Sequence, residues 1–152
     1  MSDSQPNHHD AELILKLYDL RREPVMREAR AFLGQFAPRS LDDLMKLANA
    51  FGTKEQAYMR QVAGYWEMAA SLVNRGALNR ELALDNFQEM LFVYAKLQPY
   101  LAAYREKAGF PNFLRQVEQL AESSPETRAR TAAMHKMQAE LARRHAGNAA
   151  TR

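Results

Sequence analysis

Four histidines, His8, His9, His135 and His145, and a scatter of carboxylates are the side chains with most to offer chemically in this sequence. A di-iron or di-manganese site in a helical bundle needs paired Glu-x-x-His segments, so that a carboxylate and an imidazole one turn apart face inward together. None of the four histidines has Asp or Glu three places before it, which excludes that chemistry. His8 and His9 are adjacent near the amino terminus, where neighbouring ligands on a solvated leader hold a metal poorly, and we expect neither metal nor cofactor. Glu67 is different, because it stands within Tyr65-Trp66-Glu67-Met68-Ala69-Ala70, between two apolar faces. A carboxylate buried there must be paired or protonated, since an isolated buried charge costs several kcal/mol. With Trp66 beside it and Tyr94 on the next long segment, it is a candidate buried polar or ligand site. The plainer alternative is a structural ion pair or a rim residue. Glu81, Asp85 and Glu89 form an i, i+4, i+8 ridge, which we read as a solvated face shared with Arg80 rather than a metal site.

Other chemistries are closed off by what the chain lacks. There are no cysteines, so disulfides, thiolate zinc sites and cysteine nucleophiles are excluded together. Neither G-x-x-x-x-G-K-[ST], G-x-G-x-x-G nor G-x-S-x-G occurs, and a helical chain has no strand for them to follow. One motif competes seriously, a helix-turn-helix across residues 44–61. Leu47, Ala48, Phe51 and Gly52 fall where that unit wants apolar, small, apolar and glycine residues, and Lys54, Gln56 and Arg60 would then face DNA. Against it, Gln61 stands where a recognition helix buries an aliphatic side chain, and the supposed recognition helix runs on through Tyr58, Tyr65 and Trp66.

The last helix offers a different surface. Its apolar stripe, Met134, Met137 and Leu141, is narrow, with alanines filling the rest, and methionine adapts to varied partners. Arg128, Arg130, Lys136, Arg143 and Arg144 surround it. Docking on an acidic protein partner, on a membrane surface, on its own bundle or on a twin helix would each suit this pattern.

All of these positions depend on helices. Residues 1–9 are polar without an apolar period and read as a disordered leader. From Asp10, a plausible N-cap, Leu13, Ile14, Leu17 and Leu20 recur at helical spacing. Pro24 either starts a new helix or kinks a continuous one, and Val25, Ala29, Phe32 and Phe36 continue the stripe to Pro38. Ser40 caps a short helix that Gly52 closes, and Thr53 caps the first long one, which Gly76 ends as a left-handed C′ residue. Asn79 caps the second, where Phe87, Met90, Tyr94, Leu97, Leu101 and Tyr104 recur at steps of three and four. Pro99 must bend or break it. Gly109 and Pro111 open a short helix with Phe113, Leu114, Val117 and Leu120 on one face, and Ser124-Pro125 starts the last. The spacing therefore predicts an all-α, single-domain bundle of six or seven helices built around an antiparallel hairpin from Lys54 to Lys107. It occupies residues 10–122, followed by a basic amphipathic helix over 123–146 and a frayed tail over 147–152.

The 152 residues are 47% hydrophobic and 26% charged, enough for one sizeable core without staples. The net charge of +3 is unevenly placed: residues 1–125 carry 15 Lys+Arg against 16 Asp+Glu, and the remainder 6 against 2. The body is nearly neutral and the end is basic, so nucleic-acid binding is possible but not favoured. The first residues have neither a basic n-region nor an apolar h-region, and the most apolar stretch, Val62 to Val73, is far short of the ~20 residues that span a bilayer. Cytoplasm is the expected setting.

The stretches Tyr65-Trp66-Glu67 and Leu72-Val73-Asn74-Arg75-Gly76-Ala77-Leu78, the Glu81-Leu82 start and the aromatic-rich run Phe87 to Tyr100 resemble a family of small bacterial all-helical domains of unknown function. The opening helix, Leu17-Tyr18-Asp19-Leu20-Arg21-Arg22 with Leu13 and Ile14 one turn earlier, resembles members of the same family. The likeness covers about residues 11–121 and leaves out the last helix. It implies helices and a bacterial cytoplasmic setting, and it carries no activity, substrate or catalytic residue. The expectation is a non-enzymatic interaction or regulatory module, binding a protein partner or itself. A DNA-binding regulator and a small-ligand or enzyme pocket near Glu67 are the alternatives.

Overall fold

The computed structural model describes residues 5–151, and among these the chain is helical throughout with no strand. In order, the helices are α1 (His8–Arg21), α2 (Pro24–Gln35), α3 (Leu41–Asn49), α4 (Lys54–Asn74), α5 (Arg80–Asn86), α6 (Gln88–Leu97), α7 (Leu101–Ala108), α8 (Arg115–Ala121) and α9 (Pro125–Ala150). Their ends follow local chemistry. Glu23 accepts the Met26 N–H at 2.8 Å, so Pro24 opens α2 at its first position rather than kinking a longer helix. Ser40, Thr53, Asn79 and Ser124 each accept an N–H from the first turn of the helix that follows. Gly76 takes φ 77° after α4, and the N–H groups of Ala77 and Leu78 both return to the Leu72 carbonyl.

The start of α1 corrects the expected leader. Asn7 is the N-cap, receiving the N–H groups of His9 and Asp10, so His8 and His9 already lie in the helix and Asp10 is not the cap. Asp10 is buried instead, with Oδ2 accepting the Asn7 N–H and Oδ1 the Asn79 N–H, both at 2.8 Å. This one carboxylate ties the start of α1 to the start of α5. Residues 1–4 of the expected leader lie outside the described residues. Leu20 and Val25 are about half exposed, and Met26 and Leu33 take the inward positions of α2.

The expected hairpin is also modified. Its first arm is α4, whose inner face buries Met59, Val62, Trp66, Ala69, Ala70 and Val73. Its second arm is not one helix. The Asn86 amide donates to the Leu82 carbonyl and Phe87 leaves helical geometry, ending α5, while Pro99 converts the end of α6 into a 3₁₀ turn before α7. The interruption at Phe87 turns its ring onto Trp66, edge to face at 5.2 Å. The main neighbours of α4 are therefore α2 and α8, and α6 packs chiefly on α9. The core runs continuously from Leu17 on α1 to Leu120 on α8.

Beyond the family-like body, α9 behaves as two halves. Thr127, Thr131 and Met134 are buried, whereas every residue from Ala139 onward that the structure describes is exposed. The helix runs through Gly147 to Ala150 rather than fraying at the glycine, and Arg152 lies outside the described residues.

Candidate functional site

Glu67 caps a distant helix. Leu114, immediately before α8, takes a left-handed φ of 54° and offers no side-chain cap. Glu67 supplies what is missing: Oε1 accepts the Gln116 N–H at 2.9 Å and Oε2 the Val117 N–H at 3.1 Å. A carboxylate at a helix N-terminus satisfies donors that have no intrahelical partner and complements the positive end of the helix. Nearby, the Asn74 amide donates to the Gln116 carbonyl at 2.9 Å, and buried Arg105 donates to the Phe113 carbonyl at 2.8 Å and pairs with Glu118. Together these contacts hold the Phe113–Val117 corner in its strained conformation. Glu67 is thus committed to structure.

Trp66 and Tyr94 do not join it. Trp66 Nε1 donates to Glu89 at 3.4 Å, and the same carboxylate takes a forked contact from the Arg30 guanidinium, with Nη2 at 2.6 Å. The hydrogen bond to Glu89 raises the Arg30 pKa further, so this pair stays charged. Sequence spacing places Glu89 on the ridge with Glu81 and Asp85, but the break at Phe87 separates them, and only the long-range contact to α2 reveals its partner. Tyr94, buried, donates to Glu122 at 2.9 Å, and burial followed by that hydrogen bond raises its pKa. A shallow recess of about 230 Å³ lies beside Trp66, lined by α1, Tyr65 and Phe87 and not by Glu67 or Tyr94. The three residues therefore do not converge on one pocket. Among the described residues no group of three His, Asp or Glu side chains could hold a metal.

The helix-turn-helix surface divides as well. Lys54 and Arg60 are exposed, but Gln56 is buried and faces the bundle, so it presents nothing to a groove of DNA. Phe51, expected to pack in the corner, is 77% exposed, because Gly52 in a left-handed conformation turns the chain there.

The residues on α9 sort by half. Arg128 donates to the Glu122 carbonyl, Arg130 to the Leu84 carbonyl and Gln88, and Met134 is buried, so these three of the expected partner surface are spent attaching α9 to the body. Gln138 adds a bond to the Phe92 carbonyl, and His135 Nε2 meets Gln98 Oε1 at 2.5 Å. Gln98 turns its amide nitrogen to Glu122 at 3.2 Å, so its oxygen faces His135. Lys136, Met137, Leu141, Arg143 and Arg144 remain on the surface, Met137 at 44% and Leu141 at 43% exposure. Arg143 and Arg144 pair with Glu140 at exposed positions.

Where its second half leaves the body, α9 forms one wall of a groove of about 960 Å³. Phe92, Ala95 and Lys96 of α6 form the floor, and Gly34 and Gln35 of α2 with Ala37, Pro38 and Arg39 just after it form the other wall. Lys96 lies across the Phe92 ring and donates to the Leu33 and Gly34 carbonyls, the unpaired end of α2. Burial lowers its pKa to about 8. Narrow spacing of methionines and cations was the sequence signal for this region, but the α2 wall was not legible from it.

These features define an all-α bundle whose internal polar clusters are helix caps and inter-helix ties, with its open, partly apolar surface beside the last helix. The chain belongs to the family described as a domain of unknown function, DUF4760, whose model matches residues 7–124 and so ends just where α9 begins. No curated protein and no solved structure matches the chain.

Proposed function

We propose that this chain is a non-enzymatic interaction module that binds a protein partner through the second half of α9 and the groove beside it. The observation that carries this reading is the division of α9: its first half is fastened by buried threonines and hydrogen bonds, and its second presents Leu141 to solvent beside a wide cleft. A helix fastened at one end and open along the other presents its face to a partner at a fixed place on the body. The commitment of Glu67, Trp66 and Tyr94 to structural contacts supports binding over catalysis. No helix among the described residues is long and apolar enough to cross a membrane. A bacterial cytoplasmic setting, suggested by the family resemblance, completes the proposal.

The test is photo-crosslinking in the native host, with a benzophenone side chain placed at Leu141 or, for comparison, at exposed Arg75 just after α4. Discrete adducts are expected at Leu141 and not at Arg75. Equal labelling at both positions removes the reading.

A further inference from the structure

The groove beside α9 carries charge of a single sign. Its cations are Arg39 and Lys96, His135 and His145 lie beside them in the lining, and no carboxylate lines it. This contrasts with the rest of the molecule, where the first 125 residues are close to neutral, and with α9 itself, whose Glu140 lies outside the groove. Apart from Gln35, Gln138 and Tyr100, the remaining lining is small or apolar. Ala139, Ala142, Ala146 and Ala149 follow one another at steps of three, four and three along the α9 wall, in a groove that Phe92 and Pro99 also line. From His135 to Ala149 that wall is about 21 Å long at the rise of an α-helix.

Resting on the interaction reading above, we infer that the groove receives an acidic amphipathic helix of a partner protein, apolar face against the alanine wall and Phe92, carboxylates towards Arg39 and Lys96. Charge complementarity selects the sign of the occupant, since desolvating these cations without an anion would be costly. Geometry selects a helix. The wall matches about four helical turns, and alanines let two helix axes approach to the short end of the roughly 8–10 Å range. A small anionic amphiphile fits less well, because such sites bury about 70–90% of the ligand surface, and the α9 wall from Ala139 onward is exposed along its length. A partner helix needs only one covered face. The basic end of this same chain is repelled by the groove, which disfavours a second copy as occupant.

The test is selection of a displayed library of helical peptides about 14 residues long. Leucines are fixed on one face, the other positions draw equally on Glu, Lys, Gln and Ala, and the target is the full chain. Recovered peptides are expected to favour Glu over Lys by at least about threefold and to bind about tenfold more weakly at roughly 0.5 M salt, where charges are screened within a few ångströms. The double variant Ala142→Trp/Ala146→Trp fills the groove from exposed helical positions, where the fold tolerates it, and circular dichroism verifies that. It is expected to weaken the recovered peptides by about tenfold or more. Lysine-rich or neutral sequences, no recovery, binding indifferent to the tryptophans, or displacement by laurate each overturn the inference. So does a dimer in light scattering that the tryptophans dissociate. If Leu141 still crosslinks to a protein while the peptides come out basic or indifferent to the filled groove, the interaction reading stands and only the acidic helix falls.

Discussion

Glu67 joins the middle of α4 to the first turn of α8, and its worth can be measured directly. Replacing an N-cap acceptor by alanine costs about 0.5–2 kcal/mol. Here Leu114 adds strain that the cap must hold, so Glu67→Ala is expected near the upper end, about 2 kcal/mol in urea unfolding, with Glu67→Gln losing less because one acceptor oxygen remains. A general base would behave otherwise, since its loss would leave stability nearly unchanged. The residue is visible in the sequence as a lone carboxylate in an apolar run. Its partner is not, because Gln116 and Val117 lie about fifty positions away and offer main-chain groups that every residue possesses.

At the scale of elements, Gly76 and α9 give contrasting expectations. A Cβ on Gly76 would meet nothing within 4 Å, so Gly76→Ala tests backbone conformation alone and should cost about 1 kcal/mol in denaturant unfolding. Removing residues 139–152 should shift unfolding by less than about 0.5 kcal/mol, because the described part of that segment is exposed, whereas Met134→Ala should cost about 2 kcal/mol. Hydrogen exchange should show the same division, with α9 protected to about Gln138 and fast beyond. Caps and glycine stops were readable along the chain because they act within one turn. The break at Phe87 was not, since it wins by placing a ring on Trp66, a contact no local pattern records.

For the whole molecule, pH reports on buried groups of opposite behaviour. Burial lowers Lys96 from 10.5 to about 8, so between those values the unfolded chain holds a proton that the folded one has released, and stability rises with pH across that window. Burial raises Tyr65 from 10.0 to about 12 and raises Tyr94 as well. Their contribution is complete below pH 10 and is lost as pH climbs through the folded values. Urea midpoints should therefore increase from about pH 8 to 10 and decline above it. Lys96→Met should flatten the rise, and Tyr65→Phe should soften the decline. Trp66, the single tryptophan and 1% exposed, provides the signal: its fluorescence and the helical circular dichroism should change together if the body unfolds as one unit.

The sequence by itself determined the helical class, the capped starts at Ser40, Thr53, Asn79 and Ser124 and the left-handed stop at Gly76. It also marked the last helix as a separate feature. Each of these follows from interactions within a few residues, where chain connectivity already sets the distances. Only the tertiary structure decided that Glu67 caps α8, that Glu89 serves Arg30 and Trp66, that Gln56 faces inward, and that α9 and the end of α2 enclose a basic groove. Those outcomes compare alternatives of similar local cost, and packing between distant segments breaks the tie.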